Sequence, residues 1–237
     1  MSQKKLILTV LLIAVFAVVI PMYLIKPQGF TAGGQHVSPP WEVKVTPDGH
    51  SEVFGLTLGR STMTDAVRVL GKDMEIGIIS APGEVGNLEA YYQNITLGFV
   101  TGKMVMSLPV PRNQVAQMRA RAVKSEFMES TTRKSTLTPE DEATAMTVPI
   151  DAIALIPSVS LDKSIIEGRF GKPAQVVRTS DHVEHYLYPD KGIDVVLDSK
   201  GKDILQYVAP ADFHRLAMPL QAKTADVTRP EAAPAGK

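Results

Sequence analysis

Two stretches of the chain repeat the same order of residue types, and this repeat limits the possible folds more than any other feature. The first is LTLGRSTMTDAVRVLGK, residues 56–72, and the second is LIPSVSLDKSIIEGRFGK, residues 155–172. Each leads from an apolar segment into a short amphipathic pattern and stops at Gly-Lys, with Gly71 and Gly171 in equivalent places. Glycine commonly ends a helix in the left-handed conformation, and an aromatic and an apolar segment follow in both copies. The pattern predicts a duplicated unit of one helix followed by antiparallel strands.

Local signals place the elements of each unit. In the first unit Thr62 is the predicted helix cap, with Asp65 reaching back as in a capping box. Strands are expected at 88–93 and 95–110, with the chain turning at Thr101 and Gly102. In the second unit Ser160 is the cap candidate. Strands are expected there at 183–188, 193–198 and 203–210.

The sequence therefore predicts an α+β fold of two similar units, each a short helix packed on a small antiparallel sheet, after one N-terminal transmembrane helix. Residues 111–130 favour a connecting helix, residues 131–138 a polar loop, and Thr138 the start of another short helix. The predicted domains are a transmembrane signal anchor at 1–26, a linker at 27–50, the first unit at 51–110, a connecting helix and loop at 111–150, the second unit at 151–216, and a disordered tail at 217–237.

The predicted anchor is LILTVLLIAVFAVVIPMYLI, residues 6–25, which carries no charge. A helix of about twenty residues spans the roughly 30 Å hydrocarbon core of a bilayer. A cleaved signal peptide is the alternative, but it has a shorter apolar centre and a small-x-small cleavage site. Lys4 and Lys5 precede the segment and Lys26 alone follows closely, which favours a cytoplasmic N-terminus. We expect a single-pass protein of the inner, cytoplasmic membrane with its body in the periplasm.

Charge and cysteine content exclude several classes of function. The chain has 25 basic and 25 acidic side chains, so no global field favours a nucleic acid partner. It has no cysteine, which removes disulfides, thiolate metal ligands, thiol nucleophiles and lipid attachment at a cysteine.

No catalytic or cofactor motif is evident. His182 and His185 form the nearest approach to a ligand cluster, but residues three apart on a strand point to opposite faces. No serine lies in a nucleophile elbow, and no glycine-rich segment carries the lysine and hydroxyl of a phosphate loop. We therefore predict no metal, no cofactor and no enzymatic activity.

The segment LTLGRSTMTDAVRVLGK resembles the opening of the small outer-membrane lipoprotein domain of the β-barrel assembly machinery, the SmpA/OmlA type, and the related β-lactamase-inhibitor-protein repeat. Gly171, Lys172 and Pro173 match the helix ending of those families, whereas the first copy has Asp73 after Gly71 and Lys72. The chain also lacks the lipidated cysteine. The resemblance implies tandem repeats that bind another protein through the exposed face of a sheet, without catalysis.

Aromatic side chains are the candidate binding residues. Tyrosine and tryptophan offer a large contact area with a polar tip, although strand aromatics commonly pack inward. The candidates are Trp41, Tyr91, Tyr92, Tyr186, Tyr188 and Tyr207. The predicted function is a membrane-anchored, extracytoplasmic protein-binding module that serves an envelope complex as an accessory, scaffolding or assembly subunit. A module that binds a small ligand or lipid and an anchored hydrolase are the alternatives.

Overall fold

A ten-stranded antiparallel sheet forms the body of the protein. The computed structural model describes residues 37–128 and 131–227, with side chains up to Leu220. A separate three-stranded sheet consists of β1 (Lys44–Val45), β2 (Ser51–Val53) and β3 (Leu56–Thr57). The large sheet contains β4 (Glu75–Ser80), β5 (Asn87–Leu97), β6 (Val100–Leu108), β7 (Lys124–Phe127), β8 (Arg133–Thr136), β9 (Ala152–Pro157), β10 (Gln175–Arg178), β11 (Val183–Tyr188), β12 (Ile193–Asp198) and β13 (Ile204–Val208). Its strand order is β10-β11-β12-β13-β9-β6-β5-β4-β8-β7.

The helices of the described residues are short. They are α1 (Met63–Leu70), α2 (Arg112–Ala120), α3 (Pro139–Ala145), α4 (Lys163–Phe170) and α5 (His214–Val227), with 3₁₀ turns at Pro189–Lys191 and Pro210–Asp212. Apolar side chains of α1, α2 and α4 join the three-stranded sheet and one face of the large sheet in the main core. We call this face the inner face and the opposite one the outer face.

The registers of the large sheet reveal an internal pseudo-twofold relation. The set β4, β5, β6 and β9 corresponds to the set β10, β11, β12 and β13, and the two sets meet where β9 pairs with β13. Ala154 lies opposite Gln206 at the centre of this junction. A half-turn about this pair places each residue pair on one side of it at the position of the corresponding pair on the other side. Further out, Tyr91 lies beside Glu75 in the first set, as Leu187 lies beside Gln175 in the second. Positions in the two halves can therefore be matched residue by residue.

Matching contacts also end the two helices α1 and α4. The hydroxyl of Tyr92 donates to the carbonyl of Gly71 at 3.0 Å, and that of Tyr188 donates to the carbonyl of Gly171 at 2.8 Å. Both glycines have a positive φ, 90° and 86°, which favours glycine over any residue with a Cβ. Each half thus fastens its helix to the second strand of its own set.

The helix starts were predicted with mixed success. The capping box of Thr62 and Asp65 is confirmed. The prediction of Ser160 as a cap is wrong, because Asp162 caps α4 and its carboxylate accepts from the backbone amide of Ile165 at 2.8 Å. The cap of Thr138 on α3 is confirmed.

The predicted fold class is wrong, since the protein is mostly β and the expected pair of small sheets is one continuous sheet. The reason lies in β9, which the sequence presents only as a lead into the second unit. This strand completes the first set by pairing with β6 and joins it to the second by pairing with β13. An isolated small sheet would expose an unpaired strand edge at this position, and the β9–β13 pairing removes both edges.

Several predicted boundaries are also corrected. The connecting helix ends at Ala120. The residues after it, which were expected to form the end of the helix and a loop, form the antiparallel strands β7 and β8. The hairpin between β5 and β6 turns at Gly98 and Phe99, where Gly98 supplies a φ of 64°, and not at Thr101 and Gly102. The predicted disordered tail is helical from 217 to 227 as part of α5. In the predicted linker, residues 44–45 form β1, and Val37 is 3% exposed.

The predictions of a transmembrane helix and a single-pass inner-membrane location are not supported. Within residues 37–128 and 131–227, no helix has the length and apolar character needed to cross a membrane. The longest, α5, has 14 residues. At 1.5 Å per residue it extends about 21 Å, which is less than the roughly 30 Å hydrocarbon core. The segment 6–25 on which the predictions rested, and with it the signal anchor, lies outside the described residues. The described residues give no support to the predicted location, with its cytoplasmic N-terminus and periplasmic body, and we withdraw it.

Candidate functional site

Among the described residues, a helix covers the outer face of the large sheet over one half. A second, smaller core lies over the half that contains β10 to β13, where Leu187 and Val208 pack against Phe213 and Leu220. Phe213 and Leu220 come from α5 and the residue before it, so this helix shields the outer face of the second half.

No helix of the described residues covers the corresponding surface of the first half. This surface forms a recess of about 820 Å³ above β4, β5 and β6, bordered by β7 and β8. We call this surface the open half and define it by Gly77, Ile79, Glu89, Tyr91, Lys103 and Val105. Its volume falls in the range of roughly 300–1,000 Å³ that is typical of ligand sites.

The alternation of the strands creates this surface. Along β5, Ala90 and Tyr92 point to the inner face and are buried, so Glu89 and Tyr91 point outward and are half-buried. Tyr91 lies opposite Val105 on β6. Glu89 lies opposite Gly77 on β4, and the side chain of Lys134 and the carbonyl of Ser135 from β8 lie close to this glycine. The floor is therefore apolar around Tyr91 and Val105, with one acidic group set into it.

The charges of the open half are incompletely paired. Glu75 and Lys134 form an ion pair at its border. Glu89 has no hydrogen-bond or ion-pair partner for its side chain among the described residues, and burial raises the pKa of its carboxyl. Lys103 is exposed and also lacks a carboxylate partner within the described part of the chain. A half-buried carboxylate without a cation is costly, so Glu89 is the least satisfied group of this surface.

The pseudo-twofold relation identifies what Glu89 lacks. Its counterpart in the second half is His185, and the counterpart of Val105 is Asp194. His185 and Asp194 are both buried, and Nδ1 of the histidine lies 2.8 Å from Oδ2 of the aspartate. The second half thus provides a polar partner from the neighbouring strand, whereas the first half places a valine there.

The two histidines considered as metal ligands have separate partners. Nδ1 of His182 lies 2.6 Å from the hydroxyl of Ser180, while His185 contacts Asp194. Among the residues that the structure describes, no group of three or more histidine, aspartate or glutamate side chains is placed to hold a metal ion.

Most of the predicted binding aromatics belong to the inner face. Four of the tyrosines are at most 5% exposed, and each hydroxyl has a protein acceptor, so their rings are not available to a partner. Their acceptors are the Gly71 carbonyl for Tyr92, the Glu184 carboxylate for Tyr186, the Gly171 carbonyl for Tyr188 and the Pro40 carbonyl for Tyr207.

Tyr91 and Trp41 remain partly exposed. Tyr91 lies at the centre of the open half. Trp41 lies elsewhere, with its ring centroid 5.3 Å from that of Phe99 and the Arg169 guanidinium 4.6 Å above it. The structure thus places one predicted aromatic in the candidate site and adds Gly77, Ile79 and Glu89, which the sequence reading missed. The alternation of Glu89 and Tyr91 with buried neighbours was the available signal.

Comparison with known proteins adds no relative. No protein-family model, curated protein or solved structure matches the chain. The resemblance of the helix–glycine segments to the SmpA/OmlA and β-lactamase-inhibitor-protein repeats stays a prediction.

Proposed function

We propose that this chain is a protein-binding module whose open half receives an amphipathic helix of a partner protein. In this role it is an accessory, scaffolding or assembly subunit of a larger complex and carries out no chemistry of its own. The observation that carries the proposal is the unequal coverage of the two matched halves: α5 covers the outer face of one, and no helix within residues 37–128 and 131–227 covers the other.

The covered half indicates the kind of occupant. Leu187, the counterpart of Tyr91, packs in the same small core as Phe213 and Leu220 of the α5 segment. Because the two halves match, a helix that packs across the strands is the geometry that we expect to fit the open half as well. Binding of an amphipathic helix in an apolar groove is a common mode of recognition, with apolar anchors spaced three or four residues apart.

The floor of the open half specifies the chemistry of that helix. Ile79, Tyr91 and Val105 line the recess and would contact the apolar side chains of that helix. Glu89 would then become fully buried, so the helix must present a lysine or arginine to it. A partner without that cation would leave a buried, unpaired carboxylate, which is strongly unfavourable. Glu89 thus serves selectivity more than affinity.

The first test is site-directed capture with a matched control. A photo-crosslinking amino acid at position 91 is expected to label one protein in a lysate of the native host. Val105→Glu places a charge on the floor of the recess and should abolish that capture. Val159→Glu introduces the same charge at a residue that is 61% exposed and outside the recess, and should leave capture unchanged. Equal capture by both variants contradicts the proposal.

The second test addresses Glu89. With the captured partner purified, Glu89→Gln should weaken binding by at least tenfold, and replacement of one basic residue in the crosslinked helix should have the same effect. The double variant should lose little more than either single one, because both remove the same ion pair. A crosslink to an extended or acidic segment of the partner would refute the helical, basic occupant while keeping the protein-binding role.

A further inference from the structure

A second cavity lies on the inner side of the sheet and shares Phe127 with the lining of the recess in the open half. Its volume is about 540 Å³, and it opens between the β4–β5 connection, α2 and the β7–β8 pair. Three serines and two arginines line it: Ser80, Ser125, Ser135, Arg119 and Arg133. The proposed function of the open half makes no use of these residues.

Buried hydroxyls occupy positions where neighbouring residues of the same face are apolar. Ile76 and Ile78 precede Ser80 on the inner side of β4 and belong to the core. Ser80 is only 4% exposed and Ser135 only 1%. The hydroxyl of Ser135 lies 3.3 Å from that of Ser125. The hydroxyl of Ser80 makes no hydrogen bond to a described residue, is not among the fully enclosed unpartnered atoms, and lines the cavity. A hydroxyl that lines a cavity and has no protein partner can bond to a polar occupant, so this end of the core favours one.

The two arginines add positive charge at the rim. Nη1 of Arg119 donates to the backbone carbonyls of Glu84 and Val85, the latter at 3.1 Å, which leaves its other N–H groups free of these contacts. The guanidinium of Arg133 lies 4.1 Å from the centroid of the Phe127 ring, which holds it at the cavity. Neither arginine has a carboxylate partner among the described residues, and Glu84 is the sole acidic residue in the lining. The lining therefore carries a net positive charge.

We propose that this cavity binds the phosphoryl group of a small phosphate monoester. Guanidinium groups match the geometry of phosphate oxygens and donate strong, charge-assisted hydrogen bonds. The hydroxyl of Ser80, which has no acceptor among the residues that the structure describes, can donate to the same group. The cavity is much larger than a single phosphate and falls within the range of about 300–1,000 Å³ for organic ligands, so an ester fits better than the free ion.

Calorimetric titration of the intact chain tests this proposal. The probes are phenyl phosphate, inorganic phosphate and phenol at constant ionic strength. We expect phenyl phosphate to bind more tightly than inorganic phosphate and phenol not to bind. Equal binding of the two phosphates would overturn the assignment of an ester in favour of the free ion. Lack of binding by both at millimolar concentration would overturn the site itself.

Variants locate the binding. Arg133→Gln and Ser80→Ala should each weaken phenyl phosphate binding about tenfold, as expected for the loss of one hydrogen bond to a charged group. Arg112→Gln makes the same charge change on α2 at an exposed residue outside the lining, and should have no effect. Far-UV circular dichroism and thermal melts confirm that each variant is folded. An affinity that is unchanged in both test variants, or equally reduced in the control, refutes the proposal.

Discussion

The two phenol contacts that fasten α1 and α4 allow the internal symmetry to be tested by measurement. Tyr92→Phe and Tyr188→Phe each remove one hydroxyl that donates to the carbonyl of a helix-ending glycine, at 3.0 Å and 2.8 Å respectively. The two rings are 1% and 5% exposed, so neither substitution opens a cavity or exposes new apolar surface.

The magnitude follows from the environment of these hydroxyls. A typical buried hydrogen bond contributes about 0.5–1.5 kcal/mol net, and a carbonyl left without a donor adds a desolvation cost. We expect each variant to lose about 1–2 kcal/mol of unfolding free energy. Because Tyr92 and Tyr188 lie in different halves and share no partner, the double variant should lose the sum, about 2–4 kcal/mol.

Urea unfolding followed by circular dichroism is the assay, with the m value required to stay constant. For a chain of this size, each kcal/mol corresponds to a shift of about 2–4 °C in the melting temperature. Tyr91→Phe is the control, since the structure gives its hydroxyl no protein partner within the described residues, and it should change stability by less than about 0.5 kcal/mol. If only one of the inner-face variants is destabilised, the two halves are not equivalent in energy.

The same pair should respond to alkaline pH. Burial, supported by the nearby carboxylates of Asp73 and Glu167, raises the pKa of Tyr92 and of Tyr188 to about 12. In the unfolded chain the pKa is about 10. The folded state therefore holds its phenolic protons longer, and this contribution to stability is complete below pH 10 and is lost as the pH rises to 12. The double Phe variant should show a flatter decline of stability over this interval.

Three further predictions concern single sites. Gly192→Ala should lower the unfolding free energy by at least about 3 kcal/mol, because its φ is 69° and a Cβ would collide with the carbonyl of Val208. Gly83→Ala is the control: its φ is 80° but the space around it is open, so the loss should be about 1 kcal/mol. Urea unfolding measures both. Tyr207→Phe should lower the unfolding free energy by about 1–3 kcal/mol, since its buried hydroxyl donates at 2.9 Å to a backbone carbonyl of the N-terminal segment. Thermal melts measure this loss, and an unchanged melting temperature would contradict it. Glu89→Gln should stabilise the free protein at pH 7 and not at pH 4. Burial raises the pKa of this carboxyl above its value of about 4.5 in the unfolded chain, so the protonated group contributes fully to stability below that pH. This contribution is lost as the pH rises through the pKa of the folded state. Urea titrations at the two pH values decide, and equal stability of variant and wild type at pH 7 would contradict a costly buried charge.

Local signals carried the parts of the fold that were predicted well. Thr62, Asp65 and Gly71 lie within nine residues of one another, and the capping box and helix stop depend on that short segment alone. The pairing of β9 with both β6 and β13 joins residues about fifty positions apart on either side. The sequence of β9, AIALIP at residues 152–157, contains no local pattern that distinguishes a strand at the junction of two sets from a strand that begins a new sheet. The fold class was therefore beyond what the local pattern could supply.

The candidate site was hidden for a related reason. Glu89 is one of 25 acidic residues, and nothing in its neighbourhood along the chain marks it as unpaired. Its significance depends on β4, an unpredicted strand that places Gly77 beside it, and on the match between Glu89 and His185. The four buried tyrosines show the opposite case. Their residue type suggested a binding surface, whereas their positions along the strands place them in the core.

The differences between the halves separate structural positions from positions free to serve binding. Where both halves need a position for folding, they keep similar solutions, as at Tyr92 and Tyr188. On the outer face they differ: His185 contacts Asp194, whereas the side chain of Glu89 has no partner among the described residues and lines the recess. A carboxylate in that position lowers the stability of the free chain. A glutamine would avoid that cost within the same fold, and the proposed function accounts for the glutamate through a cation that the partner helix supplies.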